Sequence, residues 1–444
     1  MATGSRAQFS SRFGFIMAAA GSAVGVGNIW GFPTQAASNG GAVFLIVYLL
    51  MVFILAYPLL VAELTIGRHS QANPIQSLKA IWPKQKKAAT GLGIAGMAAV
   101  SLILSFYAIV AGWLLGSLVA PLFQLVGLDA VAQWANAFST ERNLIMMVLF
   151  MLLTITVVKS GVTDGIERWS SRLMPLLFIL FGLMITYILT LEGASEGLKM
   201  YLIPDFSHFS SKLVISAMGQ AFFSLSLGVC AMMVYGSYLK KDINIPKTAA
   251  QVALLDTGVA FGAGLLILPA MFVAQKNGVE IYDAAGALLS SDTLVFTVLP
   301  AMFDTMGNMG IVISTLFFVL MLIAALTSSI SMLEVPVACA IEELQKERKT
   351  AVWWIGAIIT LFSAIIIFNF SDLFGLVITI TTVYAQPILA LMFALLVGWV
   401  WKRDKVLEEI KQGYPEIEQG LFWKIWPWYV RVVCPVLMVL VFIA

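Results

Sequence analysis

Gly21-Ser-Ala-Val-Gly-Val-Gly-Asn28 interrupts the first apolar segment of the chain, at a place where an ordinary membrane helix carries Leu and Ile. Each of its three glycines weakens a helix by about 1 kcal/mol relative to alanine. In hydrocarbon, backbone groups freed from a helix cost several kcal/mol unless protein or ligand hydrogen-bonds them. The stretch therefore predicts an unwound segment at mid-membrane, whose amides and carbonyls hold an ionic ligand.

The composition is that of a membrane protein, because 60% of the residues are hydrophobic and only 11% are charged. A soluble domain has about 25% charged residues. The charges lie in loops, so the net charge of +2 gives no indication of nucleic-acid binding. Apolar residues come in runs of roughly 20, the length that spans a bilayer. We expect an all-α polytopic protein with eleven transmembrane helices, near residues 12–37, 42–67, 88–123, 142–160, 169–191, 213–239, 248–274, 308–341, 351–369, 373–401 and 425–444.

Lysine and arginine concentrate in the connections on one side of this arrangement, as the positive-inside rule requires of cytoplasmic loops. They lie before segment 1 and after the even-numbered segments, for example at Lys84, Lys240 and Lys402. The N-terminus is therefore predicted to be cytoplasmic and, with eleven spans, the C-terminus to be outside. The other side is acidic, with Glu192, Glu196, Asp205, Glu280, Asp283, Asp292 and Asp304.

The sixth segment has a break of its own, Phe222-Phe-Ser-Leu-Ser-Leu-Gly228. The second break lies five segments after the first. Because five is odd, the two broken segments cross the membrane in opposite directions. We therefore expect one transporter domain over residues 1–444, with inverted five-plus-five repeats near 12–191 and 213–401 and an extra helix near 425–444. Paired broken helices indicate the substrate site of a secondary transporter.

Several motifs together resemble the neurotransmitter:sodium symporter family, most closely its bacterial amino-acid branch. They are Gly21–Pro33, Asn39-Gly-Gly41, Glu63-Leu-Thr-Ile-Gly-Arg68, Phe222–Gly228 and Leu326-Thr-Ser-Ser-Ile330. The resemblance covers nearly the whole chain and implies a leucine-transporter-like fold. It further implies sodium-coupled symport of an L-amino acid by alternating access in the cytoplasmic (inner) membrane of a bacterium, with a monomer sufficient for function.

The resemblance implies a substrate site at the two breaks. The amides of Val26 and Gly27 would face the substrate carboxylate, helped by the positive end of the following half-helix. Tyr107 would donate to that carboxylate, although a satisfied core tyrosine is the alternative. The subsite for the side chain holds no charge, and Val229 and Met332 leave room for large aliphatic or aromatic substrates. The implied residues are Ser22, Ala23, Val26, Gly27, Ile103, Tyr107, Phe223, Ser224, Ser226, Val229, Ser328 and Met332.

Two sodium sites are also implied, because sodium prefers hard oxygen ligands. Site 1 comprises Ala23, Asn28, Ser224 and Asp256, and site 2 comprises Gly21, Val24, Ala324, Thr327 and Ser328. A substrate carboxylate that completes site 1 would couple the two ligands, since each then binds better with the other present. For Thr327 and Ser328, the alternative is that the hydroxyls only hold helices together.

Asp256 is the residue that indicates whether transport requires chloride. Chloride-dependent members of the family have a neutral Asn at this position, and a carboxylate within the membrane marks function by default. Asp256 would supply the compensating charge, so no chloride is expected, and proton antiport on the return step is left open. The alternative is a protonated structural aspartate. Glu63 is expected near the unwound part of the first helix, and Glu334 near the second ion site.

The gates complete the prediction. The family pairs an Arg in helix 1 with an Asp in helix 10 at the outer gate. Here Asp372 occupies the Asp position but Gly31 occupies the Arg position, and Gln220 could supply a polar contact. At the inner gate the expected residues are Arg6, Phe9, Tyr238 and Glu342, with an ion pair from Arg6 to Glu342; the alternative is solvated loop charges of little energetic weight.

Two other function classes remain as alternatives, a channel and a non-transporting amino-acid sensor on the same scaffold. A channel needs a continuous polar pore lining, and a sensor usually carries an added soluble domain. An enzyme is not expected, because catalytic clusters of His, Cys or carboxylates are missing from the sequence.

Overall fold

The computed structural model describes residues 6–281, 294–304 and 306–443, and within these ranges the chain is helical without a β-strand. Asp283 and Asp292, named above for the acidic side, lie outside the described residues. The α-helices, numbered in chain order, are α1 Arg12–Ala23, α2 Phe32–Ser38, α3 Ala42–Met51, α4 Tyr57–Ser70, α5 Pro74–Ile81, α6 Lys86–Leu125, α7 Asp129–Asn136, α8 Thr140–Lys159, α9 Arg168–Leu189, α10 Ala194–Leu202, α11 Ser211–Ser224, α12 Ala231–Ser237, α13 Ile245–Lys276, α14 Leu294–Asp304, α15 Asn308–Glu343, α16 Arg348–Phe368, α17 Phe370–Ile378, α18 Gln386–Leu395, α19 Arg403–Lys411, α20 Leu421–Trp428 and α21 Cys434–Ile443.

Short π-helical segments continue several of these helices, so that one membrane crossing often contains two α-helices. They lie at Gly27–Gly31, Val52–Ala56, Val162–Glu167, Thr379–Ala385, Leu396–Val400 and Tyr429–Val433. Single 3-10 turns lie in the connections at Pro83–Gln85, Phe206–His208 and Ile417–Gln419.

Within the described ranges, nine continuous helical stretches are long and apolar enough to cross a membrane. A tenth candidate is the pair Arg12–Ala23 and Gly27–Ser38, which is bent by 52° at a short break. The remaining predicted segment, 213–239, consists of α11 and α12, each shorter than a full span and separated by residues 225–230. The protein is thus a polytopic helical membrane protein with a broken first helix.

The first break lies where the glycine-rich stretch predicts it. α1 ends at Ala23, and Val24 has an extended conformation with φ −71° and ψ 107°. Close contacts explain the glycines: a Cβ on Gly25 would lie 2.5 Å from the Ser328 hydroxyl oxygen, and one on Gly27 would lie 2.6 Å from the Phe223 ring. Two other helices therefore pack directly against the exposed backbone of this segment.

The second break, residues 225–230, turns back on itself through three residues with positive φ: Ser226, Gly228 and Cys230. The Gly228 amide donates to Glu63 Oε1 at 2.7 Å, and Gln386 Nε2 donates to the Leu227 carbonyl at 3.2 Å. Side chains from α4 and α18 thus satisfy backbone groups that the break exposes, as a membrane interior requires. The sequence predicts that Glu63 accepts hydrogen bonds near the first break, but the backbone amide that donates to Glu63 belongs to the second break.

Candidate functional site

The two breaks meet at the centre of the bundle. The Ser226 hydroxyl donates to the Ser22 carbonyl at 3.1 Å, which joins the second break to the end of α1. α6 adds Tyr107, whose hydroxyl accepts a hydrogen bond from the Val26 amide at 3.1 Å. Backbone polar groups of a broken helix, a tyrosine hydroxyl and a second break therefore converge at one point, although they come from distant parts of the sequence.

The apolar residues Ile103, Val229 and Met332, predicted for the side-chain subsite, are buried, and Phe223 is half-buried. Ile103 and Val229 are each 2% exposed, and Met332 is 7% exposed. Phe223 lies over the backbone of Gly27, as the close approach of its ring to a Cβ built there indicates. Ala23, at the end of α1, is also buried. These positions carry no charge, so the surroundings suit an apolar group.

Three of the four predicted residues of sodium site 1, Asn28, Ser224 and Asp256, form one hydrogen-bonded cluster. Asn28 Nδ2 donates to Asp256 Oδ1 at 2.7 Å and to the Ser224 hydroxyl at 2.9 Å. The Ser224 hydroxyl lies 2.9 and 2.8 Å from the two carboxylate oxygens of Asp256. All three side chains are at most 1% exposed. A buried carboxylate surrounded by hydroxyl, amide and carbonyl oxygens is a donor set that suits a hard monovalent cation.

The predicted residues of sodium site 2 surround the Ser328 hydroxyl. This hydroxyl lies 3.2 Å from the Gly21 carbonyl and 3.1 Å from the Val24 carbonyl, both at the end of α1. On α15, Thr327 Oγ1 lies 3.2 Å from the Ala324 carbonyl. The neighbouring Ser329 instead bonds Thr154 of α8 at 2.9 Å. The Ser329 hydroxyl therefore joins two helices, the Thr327 hydroxyl bonds carbonyls of its own helix, and the Ser328 hydroxyl lies among carbonyls at the first break.

Tyr48 is a polar residue of the site that the sequence analysis does not include. It lies on α3 beside Ser224 and Asp256 and is fully buried. Its hydroxyl faces the Ser224 hydroxyl and the Asp256 carboxylate. The sequence signal for Tyr48 is a single hydroxyl at the end of the apolar run Ala42-Val-Phe-Leu-Ile-Val-Tyr48. A buried tyrosine hydroxyl normally has a hydrogen-bond partner, so this one indicates a polar neighbour.

A cavity of about 370 Å³ leads from the candidate site toward one face of the bundle. Val26, Gly27, Tyr107 and Phe223 form part of its lining. Its wall also contains Gln220, whose Nε2 donates to the Gly27 carbonyl at 2.7 Å. The lining is mainly apolar, with Phe106, Val110, Ile215, Met218, Ile378, Val383 and Pro387.

Aromatic rings surround this side of the molecule, where the sequence predicted an altered latch. Asp372 is exposed and forms no ion pair with the described residues. A Cβ on Gly31 would lie 3.3 Å from Gln220 Oε1, so this residue faces the glutamine. The ring of Trp113 on α6 packs against four other aromatic rings, with centroid distances of 5.5–5.8 Å. These rings belong to Phe138, Phe296, Phe370 and Phe374.

The opposite face is closed by residues near the N-terminus. Arg6 forms an ion pair with Glu342, and its guanidinium lies 4.6 Å from the centre of the Tyr238 ring. It also donates to the Ser237 hydroxyl at 2.7 and 3.0 Å. The Phe9 amide donates to the Tyr238 carbonyl at 3.1 Å. All four predicted inner-gate residues therefore belong to one contact network.

Glu334 belongs to the same face and not to the second ion site, where it was expected. Its carboxylate accepts from the Tyr238 hydroxyl at 2.6 Å and from Arg348 at 2.5 and 3.1 Å. The side chain of Glu334 is fully buried, whereas that of Arg348 is 23% exposed. Arg348 begins α16, so the sequence could not indicate that it returns to contact α15.

Known proteins resemble this chain over almost its whole length. The model of the sodium:neurotransmitter symporter family matches residues 6–142 and 128–444. A Bacillus subtilis protein named as an uncharacterized sodium-dependent transporter, YhdH, is 37% identical and covers 98% of this chain and 97% of its own length. A Haemophilus influenzae protein with a similar name is 30% identical over 99% of this chain and 98% of its own length.

A solved structure agrees over the whole chain. The crystal structure of MhsT in complex with L-phenylalanine superimposes with a TM-score of 0.85 at 36% identity, covering 99% of both chains. The fold is therefore that of the leucine-transporter-like proteins, and the protein is a transporter and not an enzyme. On its sequence, its broken first helix and this overall match, the chain belongs to the sodium:neurotransmitter symporter family.

Proposed function

We infer that the protein is a sodium-coupled symporter for hydrophobic L-amino acids that works by alternating access. The observation that carries this proposal is the meeting of the first break with Tyr107, Ser224, Asp256 and Ser328. Backbone groups of the first break would then lie next to two sets of oxygen ligands. An amino acid needs donors for its carboxylate, and the sodium ions need oxygen ligands, so one buried centre would serve both.

The substrate proposal rests on the chemistry of the subsite. Ile103, Val229 and Met332 are buried and apolar, and the ring of Phe223 lies beside Gly27. Such a pocket binds large aliphatic and aromatic side chains but separates near-isosteres poorly, since one methylene is worth about 1–3 kcal/mol. The solved complex of the related MhsT with L-phenylalanine supports this choice.

The ion proposal is two sodium ions without chloride. Asn28, Ser224 and Asp256, with the Ala23 carbonyl, would hold the ion that shares the substrate carboxylate. Carbonyls of Gly21, Val24 and Ala324 with the hydroxyls of Thr327 and Ser328 would hold the second. Because Asp256 brings a negative charge to site 1, sodium binding would need no anion from solution, and protonation of the empty site would allow proton antiport.

The topology proposal adds the broken pair α11 and α12 to the ten candidate spans, which makes eleven. The repeats would span about 12–191 and 213–401, with the helix near 425–444 added to them. Basic connections would place the N-terminus in the cytoplasm and the C-terminus outside, in a bacterial inner membrane. The network of Arg6 and Glu342 would then close the cytoplasmic gate, while the cavity beside Gln220 would face outward.

Uptake into proteoliposomes tests the proposal directly. A symporter accumulates a radiolabelled substrate above its outside concentration when a sodium gradient is imposed, whereas a channel only equilibrates it. A sensor binds in a sodium-dependent manner but transports nothing. A thermal-shift screen of the twenty amino acids with and without sodium selects the substrate first, and leucine, phenylalanine and tryptophan are expected to give the largest shifts. Sodium-independent binding, or uptake that never exceeds equilibrium, would contradict the proposal.

A further inference from the structure

A second cavity, of about 220 Å³, lies between the end of the tenth predicted span and the start of the last one. It is separate from the transport site and shares no residue with it. Its lining combines four tryptophans with two arginines, namely Trp401, Trp423, Trp426, Trp428, Arg403 and Arg431. Tryptophan is typical of the level where lipid headgroups meet hydrocarbon.

Neither arginine of the cavity is neutralised by a carboxylate in the part of the chain that the structure describes. Arg431 lies 4.2 Å from the centre of the Trp399 ring, and Arg403 lies 5.5 Å from that of Trp423. Both arginines are exposed, and neither has an ion pair with any residue that the structure describes. Stacking on a tryptophan orients a guanidinium and leaves its N–H groups free.

Arg431 occupies an unusual position for a cation. It lies within the spanning stretch Leu421–Val441, and its exposed neighbours on this stretch include Ile425, Val432 and Val436. A charge on such a surface is costly unless an anion or water reaches it. The backbone holds it in place: a Cβ on Gly398 would lie 2.6 Å from the Arg431 Cα, and Trp399 Nε1 donates to the Arg431 carbonyl at 2.8 Å.

We propose that this cavity binds the phosphate of an anionic phospholipid, with Arg403 and Arg431 as its ligands. Two guanidiniums match a phosphate group, which accepts paired N–H donors. The exposed apolar residues beside Arg431 would contact the acyl chains, which favours a lipid over a free phosphate ion. Basic pockets between spanning helices on the cytoplasmic side are typical of lipid headgroup sites, and Lys402 and Lys405 beside Arg403 place the cavity on the basic side.

Native mass spectrometry and thermal stability of the full-length protein test this site. The protein is purified in detergent and titrated with phosphatidylglycerol, phosphatidylcholine or inorganic phosphate. We expect phosphatidylglycerol to remain bound and to raise the Tm, and phosphatidylcholine to do neither. A basic residue near the membrane surface changes anionic lipid affinity about fivefold. Arg431→Gln and Arg403→Gln should each weaken binding by that factor, and the double variant by more.

Two matched variants keep the result interpretable. Lys424→Gln removes an exposed charge from the same helix as Arg431, outside the cavity lining, and should bind phosphatidylglycerol like the wild type. Arg431→Lys keeps the charge but loses the paired donors, so it should bind with intermediate affinity. The Tm in phosphatidylcholine checks that each variant is folded. Equal loss in Lys424→Gln, or equal stabilisation by inorganic phosphate, would overturn the assignment to a lipid in this cavity.

Discussion

The Ser224 hydroxyl lies between the two carboxylate oxygens of Asp256, at 2.9 and 2.8 Å. One residue ends α11 at the second break, and the other lies on the continuous helix α13. Asn28 completes the cluster from the first break. A rigid helix thus holds a carboxylate against both broken helices, so a cation bound here would tie the two breaks together.

Removal of the Asp256 charge should weaken sodium binding. In Asp256→Asn the side chain keeps its shape but loses the negative charge, and unit charges about 4 Å apart interact by about 4 kcal/mol at an effective dielectric constant of 20. We expect the sodium concentration for half-maximal uptake to rise at least about tenfold, which is about 1.4 kcal/mol. Asp129→Asn removes an exposed carboxylate and serves as the control. Wild-type uptake should persist when gluconate replaces chloride, and a strict chloride requirement would refute the role given to Asp256.

Loss of the Ser328 hydroxyl should affect the second ion. Ser328→Ala leaves the Gly21 and Val24 carbonyls without this hydroxyl, so we expect reduced sodium stimulation of uptake with a folded protein. Thr360→Val is the matched control, because the Thr360 hydroxyl bonds only the Gly356 carbonyl of its own helix, at 2.7 Å. The sodium dependence of substrate binding, measured by scintillation proximity, distinguishes Ser328→Ala from Thr360→Val. Unchanged sodium dependence in Ser328→Ala would place the ion elsewhere.

Gln220 should contribute to substrate affinity through the backbone of the first break. In Gln220→Leu the buried Gly27 carbonyl loses its side-chain donor and keeps the Phe32 amide, and one hydrogen bond contributes about 0.5–1.5 kcal/mol. We expect substrate affinity to fall by about fivefold or more, as measured by sodium-dependent binding. Gln133→Leu, on the exposed surface of α7, should bind normally. Equal affinity for both variants would mean that the hydrogen bond from Gln220 does not contribute to substrate binding.

The Arg348–Glu334 pair should hold the inner face closed. Among the described residues, Arg348→Gln leaves the buried Glu334 carboxylate with only the Tyr238 hydroxyl as a donor, so the closed state is destabilised. Cys339 is 4% exposed and lies beside Ile75 and near Arg6, so its alkylation reports opening of this face. We expect faster maleimide labelling of Cys339 in the variant, located by peptide mass spectrometry. Cys339→Ser supplies the blank, and Lys349→Gln, which removes the neighbouring exposed charge, should label at the wild-type rate.

The protein should lose stability in acid through Glu409. Burial alone would raise the pKa of this carboxyl group, but a hydrogen bond from His69 and the charges of Arg68 and Lys241 lower the pKa from 4.5 to about 2. Its stabilising effect is therefore fully present above about pH 4.5 and is lost as the pH falls toward 2. Glu409→Gln should lower the Tm at neutral pH and flatten its decline below about pH 5. Glu418→Gln breaks an exposed pair with Lys411 and should change the Tm little.

The position of the site followed from local sequence. Three glycines within Gly21–Asn28 destabilise a helix wherever they lie, so the first break could be predicted without any knowledge of its partners. The same holds for the second break and for the spans, because segment length and hydrophobicity act within a few residues of the chain. The family motifs then indicated which side chains belong to the site.

The sequence by itself determined that the chain is a bundle of membrane helices, one of them broken at a glycine-rich stretch, because backbone propensity and hydropathy are local properties. Tertiary structure alone decided that Glu63 serves the second break, that Glu334 pairs with Arg348, that Tyr48 faces Asp256 and that Arg403 and Arg431 share a cavity. Each of these contacts depends on which faces of two helices pack together. The packing energy between distant segments does not change the hydrophobic periodicity of either segment, so the sequence does not reveal the contact.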